Sequence, residues 1–155
     1  MYVKWTVEPA QAGRYFPLLQ QGVRIKAKAG WRVSELLYFA LALSPADVAN
    51  RIQTVFLNGI PVDDLEAHVV TNNAVLALSA AMPGLVGAAL RMGSPLAPLR
   101  QIASPGKKHP NAPGQDVFIT VKLFNLLVSE FGPSLLKRGI WLNESELDKL
   151  QRISA

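Results

Sequence analysis

The clearest alternation in the chain runs from Val23 to Ala29, with Val23, Ile25, Ala27 and Ala29 on one side and Arg24, Lys26 and Lys28 on the other. A period of two places successive side chains on opposite faces of a strand, so this segment is predicted to be a half-buried strand with a basic outer stripe. Tyr2 to Val7 and Val117 to Phe124 are predicted strands from their aromatic and β-branched content. Val55-Phe56-Leu57 and Ile60-Pro61-Val62 flank Asn58-Gly59, the strongest short-range signal for a tight β-hairpin. Thr71-Asn72-Asn73 closes a turn-rich connection and leads into an apolar strand, Val75 to Ala80.

Helical signals fill the gaps. Gly30 ends the basic strand, and Ser34 is expected to cap a helix over Glu35 to Leu41, with Glu35 in the first turn where the helix dipole favours an anion. Ser44-Pro45-Ala46-Asp47 combines a cap, a proline at the first helical position and an acid three residues after the cap. Asn143-Glu144-Ser145-Glu146 opens a terminal helix, along which Leu147, Leu150 and Ile153 recur at helical spacing. Glu8 to Leu19 reads as a loop, Pro83 to Leu90 as a short helix, and Asn125 to Phe131 as a helical turn closed by Gly132-Pro133. The stretch Ser104 to Gly114 holds too many prolines and glycines for a regular element.

Composition narrows the class. Half of the 155 residues are apolar and 17% are charged, which favours one folded domain over a disordered chain. With no cysteine, disulfides, thiolate catalysis and sulfur-bound metals are excluded, and Met1-Tyr2-Val3-Lys4-Trp5 lacks the apolar core of a leader peptide, so cytoplasm is expected. Ala74 to Leu90 carries no charge, but Pro83-Gly84 interrupts it, and a strand, a turn and a small-residue helix explain it better than a membrane span. The net charge of +5 is uneven: Arg14, Arg24, Lys26, Lys28 and Arg32 occur between Ala10 and Ser34 with no acid among them.

The motifs Gly30-Trp31-Arg32-Val33-Ser34-Glu35-Leu36-Leu37 and Val55-Phe56-Leu57-Asn58-Gly59-Ile60-Pro61-Val62, with Asn72-Asn73-Ala74-Val75 before the apolar strand, resemble the β-grasp sulfur-carrier proteins. That family includes the small subunit of molybdopterin synthase and the thiamin sulfur carrier. The resemblance spans Val23 to Pro83 and implies an α+β fold, a mixed sheet with one helix packed across it. The segment Val121 to Gly132 looks like the family's first strand and turn, placed after the last strand instead of before the second. Two arrangements follow: a circular permutation with this segment as the first strand, or Tyr2 to Val7 in that role and an added C-terminal subdomain over residues 117–155. Residues 84–116 are the Pro/Gly-rich connection in either case. The family's chemistry needs a terminal Gly-Gly carboxylate, whereas Pro83-Gly84-Leu85-Val86-Gly87 lies mid-chain, so carrier activity requires cleavage after Gly84 or Gly87.

No enzyme, metal or cofactor is expected. His68 and His109 stand apart from other ligating residues, Asp63, Asp64 and Glu66 sit where acids stabilise turns, and Ser104-Pro105-Gly106-Lys107-Lys108 lacks the frame of a phosphate loop. Two binding surfaces are expected instead. Leu85, Val86 and Leu90 form an apolar patch for a protein partner or a second copy, the first reading. Arg24, Lys26, Lys28 and Arg32 form an anion-binding stripe for nucleic acid, the alternative, against their simple use as a solvated sheet face.

Overall fold

The computed structural model describes residues 1–80 and 114–154. The chain is a mixed α+β fold whose five-stranded sheet has the order β2-β6-β5-β3-β4. These strands are β2 (Val23–Lys28), β3 (Thr54–Leu57), β4 (Ile60–Pro61), β5 (Val75–Ser79) and β6 (Asp116–Phe124). All neighbours pair antiparallel except β5 and β6, which run parallel. Two short strands, β1 (Val3–Trp5) and β7 (Ile140–Leu142), pair antiparallel with each other outside this sheet. Of the two candidates for a central strand, Val117 to Phe124 therefore takes the place beside β5, and Tyr2 to Val7 does not.

The alternation in β2 is realised as read: Val23, Ile25, Ala27 and Ala29 are buried and the cations point away from them. Val117, Ile119, Val121 and Leu123 of β6 continue the apolar face, joined by Leu76, Leu78 and Val55. Against it packs a helix that starts as α2 (Val33–Glu35) and widens into a π-turn over Leu36–Ala40, with Val33, Leu36 and Leu37 fully buried.

Asparagines lock the sheet together. Asn58 (φ 53°) and Gly59 (φ 81°) form the β3–β4 turn, and Asn58 also accepts from and donates to the Val75 backbone through Oδ1 and N–H, at 2.9 and 2.8 Å. On the other side of β5, Asn72 Oδ1 accepts from Phe118 N–H at 3.0 Å, while Asn73 (φ 67°) donates to the Phe118 carbonyl at 2.7 Å. Positive φ costs asparagine less than most residues, and the returned hydrogen bonds offset it.

Two expected caps are in place. Ser44 Oγ accepts from Asp47 N–H and Asp47 Oδ2 from Ser44 N–H at the start of α3 (Pro45–Arg51). Asn143 and Glu146 exchange the same pair of bonds at the start of α5 (Glu144–Ser154). A third cap is corrected: α2 begins two residues before Ser34 would place it, with Arg32 at the cap position, and Ser34 is buried inside it. The carbonyls of His68 and Leu65 already accept from Val33 and Ser34 N–H, and Glu35 Oε1 accepts from Arg32 N–H, so no hydroxyl cap is needed.

Two further expectations are overturned. Glu8 to Leu19 is not a loop but a 3₁₀ segment, Pro9–Tyr15, running into α1 (Phe16–Gln21), with Ala12, Tyr15 and Leu19 buried. Gly132-Pro133 does not end a helix; α4 runs through it from Leu127 to Arg138. Its buried Leu127, Val128, Leu135 and Leu136 keep helical spacing across the proline, and the packing they gain outweighs the lost backbone bond. Gly132 is where α4 meets α1, since a Cβ there would lie 2.5 Å from Leu19 Cδ1. No described helix is long and apolar enough to cross a membrane.

Candidate functional site

The basic stripe on β2 is mostly tied down. Arg24, about one-fifth exposed, donates from Nη1 to Glu146 Oε1 at 2.7 Å and to the Trp141 carbonyl at 3.1 Å, and its guanidinium lies 4.1 Å from the Tyr2 ring centroid. Burial alone would raise the Glu146 carboxyl, but the N–H of Asn143 and the Arg24 guanidinium bring it below the usual carboxylate range. Lys28 is paired with Asp116, whose carboxyl it holds low by a hydrogen bond. Arg32 stands 3.5 Å from Glu66 in an exposed pair. Of the four predicted anion-binding residues, Lys26 alone makes no ion pair with a described residue: its ammonium faces the Trp141 ring at 4.2 Å and the Phe118 ring at 5.9 Å.

Lys26 lines an open depression of about 440 Å³ whose other walls are Lys4, Ile25, Trp31, Phe39, Ala40, Arg138, Gly139 and Trp141. Four separate parts of the chain meet there: β1, the β2–α2 region, the end of α4, and β7. Lys4 lies across Gly139, where a Cβ would stand 2.5 Å from Lys4 Cε; with φ at 115°, the position suits glycine doubly. Arg138 donates from Nε and Nη2 to the carbonyls of Ala40 and Phe39, closing the C-terminal end of the π-turn. Ala42, just beyond it, holds an unfavourable φ of 56°. Phe39 itself is 57% exposed, and its ring centre lies 5.5 Å from that of Trp31 at a tilt of 58°.

Among the described residues no carboxylate lines this depression, and Lys4, Lys26 and Arg138 form no ion pair. Three cations and three aromatic side chains lining one depression match a ligand that is both anionic and flat. A larger depression of about 510 Å³ is lined by Tyr38, Val48, Ile52, Gln53, Asp63 and Leu65, and Asp63 is the single charged group among the described residues lining it.

The remaining candidates fall into place simply. Asp64 Oδ1 accepts from Glu66 N–H at 2.9 Å, so the acidic cluster shapes its own turn. His68 is buried, its carbonyl serving the start of α2. Among the described residues no group of three or more His, Cys, Asp or Glu is placed to hold a metal ion. Leu85, Val86, Leu90, Gly84, Gly87, His109 and the segment from Ser104 to Lys108 lie outside the described residues. Phe39, Trp31, Lys4 and Arg138 were not singled out from sequence; the one local hint is Lys137-Arg138-Gly139, a basic last turn followed by glycine, which marks a helix end.

No protein-family model, curated protein or solved structure matches this chain significantly.

Proposed function

We propose that the chain is a non-enzymatic nucleic-acid-binding module built on a circularly permuted β-grasp sheet. The permutation is supported by order and direction. Taking β6 as first strand, the sequence β6, β2, α2, β3, β4, β5 gives an antiparallel first pair, a helix after the second strand, and parallel central strands. The cut then falls between β6 and β2. Both extensions grow from it, α4 to α5 on one side and β1 to α1 on the other, and they join through the β1–β7 pair and the contact at Gly132.

The observation that carries the binding function is the convergence of Lys4, Lys26 and Arg138, with no acid among the described lining residues, on the same depression as Trp31, Phe39 and Trp141. Cations give affinity for phosphates, and exposed rings accept bases. The surface is displaced from the expected stripe, because Arg24, Lys28 and Arg32 are committed to Glu146, Asp116 and Glu66. The reading as a protein-interaction module through Leu85, Val86 and Leu90 concerns residues outside the described part.

Fluorescence anisotropy with a labelled oligonucleotide tests the function. Wild type is expected to bind and to weaken steeply between about 50 and 200 mM salt, and the combined variant Lys4→Gln, Lys26→Gln, Arg138→Gln to lose about tenfold or more at low salt. A wild-type protein that binds no nucleic acid at low salt, or a folded triple variant that binds as well as wild type, would overturn it.

A further inference from the structure

We infer that Phe39 is the stacking platform for one unpaired base of a single-stranded nucleic acid, whose adjoining phosphates rest on Lys4 and Arg138. This rests on the nucleic-acid reading above and names the form of ligand that the same depression takes. The shared chemistry is a phosphate joined to a flat base, and the continuous strand is favoured over a free nucleotide because the cations come from three separate elements around the rim.

Three observations single out Phe39. It is 57% exposed although it belongs to the helix that supplies Leu36 and Leu37 to the core, so water contact is imposed on a large apolar ring. The π-turn that carries it is a rare, widened form of helix that occurs mostly as single turns, frequently at functional sites. Trp31 meets the ring at a 58° tilt, so the two rings are not stacked face to face on each other. Trp141 is less suited to the role, since Lys26 already lies over its ring at 4.2 Å.

Arg138 links the base and phosphate subsites. Its Nε and Nη2 are held by the carbonyls of Ala40 and Phe39, while Nη1 has no described partner, so a donor is fixed to the same turn as the ring. A duplex keeps its bases stacked on each other and offers this ring nothing to receive; an unpaired base does.

The test compares three probes on the full chain, a short single-stranded oligonucleotide, the same oligomer with abasic sites, and the duplex, with a free mononucleotide as a fourth ligand beside them. Wild type is expected to prefer the base-bearing single strand by about tenfold over the abasic one, with Phe39→Leu erasing the preference and Phe39→Tyr retaining it. Because Phe39 is largely exposed, these variants are expected to fold, and thermal melts check it. Equal binding of all three probes would overturn the stacking role while nucleic-acid binding stands. A free mononucleotide bound as tightly as the oligomer would overturn the strand as ligand. Failure of every probe would remove the nucleic-acid reading and this inference together.

Discussion

Two sets of cations stand side by side on this molecule and are used in opposite ways. Arg24, Lys28 and Arg32 each meet a carboxylate, from α5, from β6 and from the turn before Val69. Lys26 shares a strand with two of them, yet with Lys4 and Arg138 it meets rings, a glycine and helix-end carbonyls. The difference teaches that a basic stripe in sequence is a statement about side-chain direction, not about free charge. What decides free charge is which acids the rest of the fold brings alongside.

The comparison is broken most severely at Arg24. Arg24→Ala should destabilise the protein by about 2 kcal/mol, because it removes a charged hydrogen bond to Glu146, one to the Trp141 carbonyl and the contact with Tyr2. Urea unfolding measures this. Glu146→Gln should cost less, about 1 kcal/mol near neutral pH, since it weakens both the ion pair and the cap of α5.

Acid sharpens the same point. Glu146 titrates lower in the folded chain than its ordinary value of 4.5, so its contribution is present above that value and is lost as pH falls through the folded one. Wild type should therefore lose stability below about pH 4.5 more steeply than Glu146→Gln, as pH-dependent melting would show. Equal slopes would mean that the pair contributes nothing.

Smaller effects follow at the exposed members. Lys28→Ala and Arg32→Ala should each change stability by less than about 1 kcal/mol, because surface pairs gain little over hydration. Lys4→Ala should be similarly quiet in unfolding, although it lines the depression. A loss at Lys4 as large as that at Arg24 would show that the set lining the depression is structural.

Much of the main sheet was legible because its signals are local. The alternation from Val23 to Ala29, the Asn58-Gly59 turn, and the caps at Ser44 and Asn143 each complete their own hydrogen bonds or faces within a few residues. The extensions were not. α1 begins at an unremarkable Phe16-Pro17, α4 crosses Gly132-Pro133 because Leu135 and Leu136 have a core to enter, and β7 is three residues whose partner is at the opposite end of the chain. The site suffered the same limit. Arg24 and Glu146 are 122 positions apart, and Phe39, Lys4 and Arg138 share no spacing that a sequence pattern would reveal.

The most direct measurement is the salt dependence of single-strand binding for wild type and two double variants, Lys4→Ala/Arg138→Ala and Lys28→Ala/Arg32→Ala. The slope of log affinity against log salt should fall by about 0.7 for each phosphate contact removed in the first variant and stay at the wild-type value in the second. A flattened slope in the second variant, with the first unchanged, would place the binding surface on the carboxylate-paired stripe and contradict the account.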